Sequence, residues 1–536
     1  MSRQETFDYV VVGAGSAGCV MAARLSEVPS NRVLLIEAGG SDRSPMVQMP
    51  AALALPLHSK TLNWAFESEP EPGLNGQRID QPRGRCLGGS SSINGMVFVR
   101  GNRRDFDRWA LSGLTDWSYD KCLPYFRKME SFDGGDDAYR GRSGPLAVSR
   151  AKAENPLYQA FLEAGQQAGE PLNDDPNGAE QEGVNVAQST TFRGRRSSTS
   201  NAYLRGARGR PNLEIRTNAL VTGLETSGNR VTGVKLSKNG AQSRVEAARE
   251  VILCAGAFGS PQLMMLSGIG PRDHLRQHDI EVKLDLPGVG QSLQDHLVVF
   301  IQHHIRKPVS PASQLGPFGR YMVAARWLLT KGGLGATNHF EVGGFIKSSP
   351  EVDYVNMQYE FLPMLGEFHQ GSPSVMHGFQ YFMSLMRPES TGSVSLRSRD
   401  PAAKPVIRFN FLSHQSEVRQ LIDGIRRTRE VIRQPAWDEL RGDETGPGAG
   451  AASDSEIEAW IRASGYSGYH ASCTCRMGAD DLAVTDAEGR VHGMEGLRVA
   501  DASIFPRIIT GNTNAPTIMA AEKIADAIRG ETVRSA

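Results

Sequence analysis

The chain opens on an apolar run at residues 7–12, rich in the β-branched and aromatic residues that suit a strand. Small residues follow at 13–18, and residues 19–25 then carry apolar positions at helical spacing. A second short apolar run, residues 32–36, ends in Glu37. This pattern predicts strand, tight turn, helix and second strand, the start of a parallel sheet. Near the other end, residues 497–500 predict a strand that finishes at Asp501. Pro516 then opens a helix whose Ile518, Ala521, Ala525 and Ile528 share one face, and Gly530 stops it. The Gly- and Pro-rich residues 445–452 read as a surface loop. No apolar stretch is long enough to span a bilayer.

Composition narrows the class. A chain of 536 residues exceeds one small core, so two closely joined domains are expected. Lys plus Arg and Asp plus Glu both number 59, so no charge excess points to nucleic acid, and a small-molecule partner is expected. Hydrophobic residues at 39% and charged residues at 22% suit a packed globular protein. No charged-then-apolar leader precedes residue 7, and six scattered cysteines (Cys19, Cys86, Cys122, Cys254, Cys473, Cys475) make no disulfide framework. Both features predict a cytoplasmic protein, with peripheral contact at the inner membrane and a monomer or homodimer left open. His470, Cys473 and Cys475 lie close in sequence, but no further pair completes a tetrahedral metal set, so no metal is expected.

The residues at 13–18 match a dinucleotide fingerprint, each glycine with its own task. Gly13 makes the turn, Gly15 admits a pyrophosphate, and Gly18 packs helix on strand, with Ser16 and Ala17 offering helix N–H groups to phosphate. Glu37, 19 residues past Gly18, suits ribose hydroxyls. These features leave FAD and NAD both open. A second loop of small residues, 84–94, precedes the apolar run Met96 to Val99, which suggests a loop buried between domains against a flat or anionic group. Three separated glycine or acid features suggest one long ligand.

The residues at 84–94 resemble the first signature of the glucose-methanol-choline oxidoreductases, and 256–270 resemble the second. Further similarities lie at Arg100-Gly101-Asn102 with Trp109, at 286–290 with Asp295-His296, at 338–341 and at 511–516, so the resemblance spans nearly the whole chain. It implies an α/β (α+β overall) protein with a Rossmann-like FAD-binding domain and a substrate domain built on an antiparallel sheet flanked by helices. Residues 7–154, 200–296 and 478–536 would form the first, and 155–199 and 297–477 the second. It also implies cofactor contacts from Glu37 and Ala38 at the adenosine ribose and from the Val221 backbone at adenine. Asn94 and the Gly88, Gly89 and Ser90 backbone would lie near the isoalloxazine, Asp501 and Ala502 would meet the ribityl and phosphate region, and Asn514 the flavin pyrimidine, with Arg85, Gly95, Met96, Val97, Ala255, Gly256, Asn512 and Thr513 as further cofactor contacts.

The stretch 468–478 resembles the family's active-site segment, which singles out His470 among twelve histidines. Oxidising an alcohol requires a base that is neutral near pH 7, and imidazole, with a pKa of about 6.5, meets that need. Asn512, eleven residues before Lys523, stands where relatives carry Asn or His and would orient the hydroxyl without itself taking a proton. The expected reaction is proton abstraction at His470 with hydride transfer to flavin N5. Asn512 and Asn514 read without the resemblance are turn or cap residues.

Three departures bear on this reading. Some relatives tether FAD through a histidine in the glycine loop where this chain has Ile93, so FAD is expected to be non-covalent. Choline-dehydrogenase-like relatives carry a glutamate shortly after the Asp-His pair, where this chain has Val298. Burying a permanent cation without a carboxylate is costly, so an uncharged primary alcohol is expected, in a pocket lined by Val298, Phe340, Phe361 and Tyr469, with choline second. Ala471 replaces the relatives' usual proline and frees the backbone after His470. The electron acceptor is read as a quinone or another acceptor, with oxygen, giving peroxide, as the alternative. A non-redox lyase with structural FAD, or an NAD enzyme, are the competing classes.

Overall fold

The computed structural model describes residues 5–316, 318–367 and 374–531; the first four residues, part of the opening segment read for a leader, lie outside them. Two seven-stranded sheets organise the chain. The first runs in the order Leu213–Arg216, Val33–Ile36, Glu5–Val12, Ala241–Leu253, Arg230–Lys238 and Leu220–Ser227, with Leu497–Val499 also paired to Ala241–Leu253. The pairings that involve Val33–Ile36, Glu5–Val12 and Leu497–Val499 are parallel, and the last two in the row are antiparallel. Val10, Val11, Leu34 and Leu35 are wholly buried, as expected of parallel strands covered on both faces.

The helix Ser16–Leu25 starts directly after the first strand and reaches close packing through Gly18, where a Cβ would lie 1.8 Å from the Gly13 carbonyl oxygen. The final helix, Asn514–Arg529, begins two residues before Pro516 and stops at Gly530, whose φ of 69° is left-handed. Both helices meet at the first sheet, and Arg24 of one holds Glu522 of the other at 2.7 Å.

The second sheet runs Arg441–Gly446, Leu297–Ile305, Phe379–Leu385, Met357–Leu362, Val342–Ile346 and Gly183–Val186, with Tyr466–Ser467 also on Leu297–Ile305. Every pairing in it is antiparallel. Gly446 pairs with Gln302, so the loop expected at 445–452 begins only after an edge strand ends. One face of the sheet packs on the helices Pro156–Gln167 and Gln415–Ile432, the latter burying Val418, Leu421, Ile422 and Ile425 at i, i+3, i+4 and i+7.

Strand periodicity decides which side chains reach the other face. Met357, Tyr359 and Phe361 join the helix-side core, as do Leu297, Val299 and Ile301. Glu360, Leu362, Val298 and Phe300 face the opposite way, into a cavity between the two sheets. Phe361, expected in the substrate pocket, is therefore fully buried in the core and packs against Phe161 with ring centroids 5.1 Å apart.

Candidate active site

A cavity of about 870 Å³ runs from Glu37 and Val221 at one end to His470 and Asn512 at the other. Its first wall is the carboxyl edge of the parallel strands, where Gly13, Gly15, Ser16, Ala17 and Ala38 line it. Glu37 braces this edge: its carboxylate accepts from Ala14 N at 2.9 Å and Gly39 N at 2.8 Å, and burial pushes its pKa up to about 7. Gly89, Ser90, Asn94, Gly95, Met96 and Val97 form a second stretch of wall, and Ala255, Gly256, Asp501 and Ala502 a third. The Asp501 carboxylate accepts from Gly256 N at 2.8 Å and Ser503 N at 2.9 Å, tying two of these loops together. Thr513 and Asn514 line the cavity where the final helix begins, and the Asn514 side chain accepts from Ser16 Oγ at 2.7 Å.

Three expected cofactor residues stand behind the wall rather than in it. Gly18 packs beneath Gly13, Gly88 donates its N–H to Ala14 O at 2.7 Å, and the Arg85 guanidinium lies 4.9 Å over the Trp64 ring. Arg83, two residues earlier, opens onto the cavity instead and rests over Phe258 at 4.9 Å. Burial draws the Arg83 pKa down.

His470 is held by a chain of contacts that assigns its protons. Asp295 accepts from His470 N at 2.6 Å and from His296 N at 2.9 Å, and its other oxygen accepts from Ser467 Oγ. Burial pushes the Asp295 pKa up to about 6. His296 Nε2 lies 3.0 Å from Ile509 O; a carbonyl only accepts, so that nitrogen carries the hydrogen. Burial draws the His296 pKa down to about 3, so the ring is neutral and its Nδ1 is a bare acceptor. His470 Nδ1, 2.9 Å away, must then donate to it, which leaves His470 Nε2 with a free lone pair.

That lone pair meets Asn512 Nδ2 at 3.1 Å. The orientation of the Asn512 amide follows from its other partners: its nitrogen donates to Glu360 Oε1 at 3.0 Å and its oxygen accepts from Gln358 Nε2 at 2.9 Å. Burial, followed by the neighbouring His296 and Arg83, draws the His470 pKa well below the ordinary histidine value. The arrangement presents a neutral base and a neutral donor side by side at a single point of an apolar cavity. The nearby Cys473 and Cys475 are buried in the core of the first sheet, and among the described residues no three His, Cys, Asp or Glu side chains converge as metal ligands.

Residues 7–298 match the amino-terminal part and residues 388–521 the carboxy-terminal part of the GMC oxidoreductase family. The chain belongs to this family. It is 51% identical over 528 residues to a protein of Burkholderia pseudomallei (strain 1710b) named oxygen-dependent choline dehydrogenase, covering 98% of this chain and 94% of that one. A protein of the same name from Burkholderia cenocepacia (strain HI2424) is 50% identical over 531 residues, with the same coverage. Among solved structures, pyridoxine 4-oxidase from Mesorbium loti superposes with a TM-score of 0.89 at 31% identity, covering 98% of this chain and 99% of that one. A formate oxidase variant from Aspergillus oryzae RIB40 superposes with a TM-score of 0.92 at 27% identity, covering 99% of each chain. This GMC protein is an FAD-dependent alcohol oxidoreductase.

The cavity fits that cofactor. Two glycine loops meet along it so tightly that a Cβ on Gly89 would lie 2.6 Å from Gly15 Cα, and one on Gly13 would lie 2.6 Å from Cys254 O. Backbone alone can approach a pyrophosphate there. Beyond the glycines, the wall at the His470 end is apolar, built from Val298, Phe300, Phe340, Leu362 and Phe382, with Tyr469 beside the histidine. Tyr469 has φ of 64°, and its N–H donates to Ser467 Oγ at 2.9 Å, so the turn that aims His470 is held by the same serine that Asp295 accepts from.

Three residues of this site escape sequence reading, and a fourth, His296, stands in the sequence only as half of the Asp295-His296 similarity, with no role attached. Gln358 and Glu360 come from a strand far from His470 in the chain, and only their distance in space marks them. Arg196 is buried, with its pKa drawn down to about 9, and donates to Asn94 O at 2.7 Å and Asn94 Oδ1 at 2.8 Å. The only sequence signal for Arg196 is the basic run Arg193-Gly194-Arg195-Arg196, which reads equally as a solvated turn.

Proposed function

We propose that this GMC enzyme oxidises a primary alcohol to the aldehyde with His470 as the base and Asn512 as the group that orients the carbinol oxygen. The observation that carries this reading is the 3.1 Å approach of Asn512 Nδ2 to the lone pair of His470 Nε2. A hydroxyl inserted between them would accept from the amide and donate to the imidazole. Its proton then passes to Nε2. The amide keeps its second hydrogen on Glu360 and its oxygen on Gln358, so the oxygen of the alcohol is fixed while the proton leaves. Bound FAD supplies the two-electron acceptor for the carbinol hydride, held non-covalently because Ile93 offers no nucleophilic atom.

The apolar wall with Val298 favours an uncharged primary alcohol. A second reading, choline, is favoured by Glu360, whose carboxylate lines the cavity on the same face of the sheet. Val298 and Gln358 both pair with Ser384, and Glu360 stands two residues beyond Gln358, so an acid enters the site from a different strand. Burial pushes the Glu360 pKa up, and a bound cation would hold it ionised. The relatives named as choline dehydrogenases support this second reading. Comparing choline with its uncharged carbon isostere 3,3-dimethylbutanol separates the two: equal or better kcat/KM for the isostere supports the first.

Mixing the purified enzyme anaerobically with a panel of alcohols should bleach its flavin absorbance. His470→Ala should keep FAD but slow the bleaching at least about a hundredfold. Undiminished bleaching in that variant removes His470 from the mechanism. Electrons leave to a quinone or another acceptor, and stoichiometric peroxide under air at the full rate would assign oxygen that role instead.

A further inference from the structure

The helix Gly319–Thr330 is apolar on the wrong side. Trp327 is its one buried residue, anchored by an Nε1–H donated to Gly194 O at 2.6 Å. Phe318 and Leu329 are 89% and 86% exposed, and Tyr321, Met322 and Leu328 are exposed beside them. Positions 318, 322 and 329 fall on one stripe opposite Trp327, with 321 and 328 on its flank, so the helix turns outward the face that a surface helix normally buries.

The surroundings are basic. Between Lys307 and Glu341 the sequence holds no Asp or Glu, while Arg320, Arg326 and Lys331 lie on or beside this helix. The hairpin that receives Trp327 adds Arg193 and Arg195. Among the described residues none of these five cations has a carboxylate within ion-pair distance, although the chain forms many such pairs elsewhere. The same helix forms part of the cavity wall through Arg320, Tyr321, Val323 and Ala324. With 12 residues it is too short to cross a bilayer, and no helix among the described residues is long and apolar enough to do so.

We propose that this helix lies flat in the surface of an anionic lipid bilayer, its apolar stripe inserted and Arg326, on the flank of that stripe, at the depth of the lipid phosphates. An outward apolar face with exposed cations on and beside its helix, none of them in an ion pair among the described side chains, is the pattern of an interfacial helix, and it fits anionic lipid better than a second copy of a chain with no net charge. The cavity wall that this helix contributes then lies next to the membrane. The proposal does not depend on which alcohol is oxidised.

The test uses the full-length, FAD-loaded enzyme and vesicles of phosphatidylethanolamine with phosphatidylglycerol, against vesicles of pure phosphatidylcholine. The enzyme should co-sediment with the anionic vesicles, more weakly as salt shortens the reach of the charges. Met322→Glu combined with Leu329→Glu should weaken that binding at least about tenfold. It should leave alcohol oxidation with a soluble dye unchanged. The indole introduced by Leu329→Trp should shift its emission to the blue on adding the anionic vesicles. Three results overturn the proposal: no binding to anionic vesicles at low salt, undiminished binding by the double variant, or an unshifted emission from the Leu329→Trp variant. A wild-type dimer that the double variant splits, with no vesicle binding, would overturn it in favour of an interface between copies.

Discussion

Replacing His296 by phenylalanine tests the proton assignment at the base. In the wild type, Ile509 O fixes the hydrogen on His296 Nε2, and the bare Nδ1 accepts from His470 Nδ1 at 2.9 Å. Phenylalanine keeps the ring but removes that acceptor, leaving a buried N–H on His470 without a partner, a cost of about 1–3 kcal/mol. The imidazole escapes this cost by moving its hydrogen to Nε2, which destroys the lone pair that faces Asn512. At about 1.4 kcal/mol per factor of ten, the competent tautomer falls about fivefold to 150-fold, and the rate falls with it. Anaerobic stopped-flow absorbance at saturating alcohol reads this step directly, with FAD content and thermal stability measured on the same samples. Glutamine carries both a donor and an acceptor, so His296→Gln should recover part of the rate that His296→Phe loses. An unchanged bleaching rate in His296→Phe would refute the assignment. So would a rate loss matched by FAD loss and equal in both variants, which marks a purely structural role.

Glu360→Gln keeps the contact to Asn512 but removes the charge, so kcat/KM for choline should fall about tenfold or more against that for 3,3-dimethylbutanol, by the size of one lost ionic contact in an apolar site; equal losses on both substrates would show that Glu360 serves only to position Asn512. Gly89→Ala places a Cβ 2.6 Å from Gly15 Cα at a φ of 51°, so purified protein should retain much less FAD per chain, whereas Gly76→Ala, at φ of 75° with open space around it, should lose only about 1–2 kcal/mol of stability and keep its FAD. For the pH dependence, His470 acts as a base only when unprotonated, and its pKa is drawn well below 6.5 by burial. Flavin reduction should therefore persist as pH falls through 6.5 and fail only below it, and an acid limb centred at or above 6.5 would contradict the burial argument.

Much of this protein is local enough to be carried by the sequence alone. The strand at 7–12, the glycine turn, the helix after it, Glu37 and the helix stopped by Gly530 each follow from periodicity and turn chemistry within one short stretch of chain. His470 and Asn512 stand out through resemblance to a family, and the fold brings them to 3.1 Å. What the tertiary structure alone decides is parity and partnership. A strand shows its period of two but not which face the core claims, so the apolar Phe361 goes inward while the acidic Glu360 reaches the site. His296 lies 174 residues from His470, and Arg196 lies 102 residues from Asn94. No spacing rule links such pairs, because their proximity is made by two sheets closing on one cavity. The outward apolar stripe of the helix Gly319–Thr330 has the same origin: only packing shows that Trp327 alone was taken into the core.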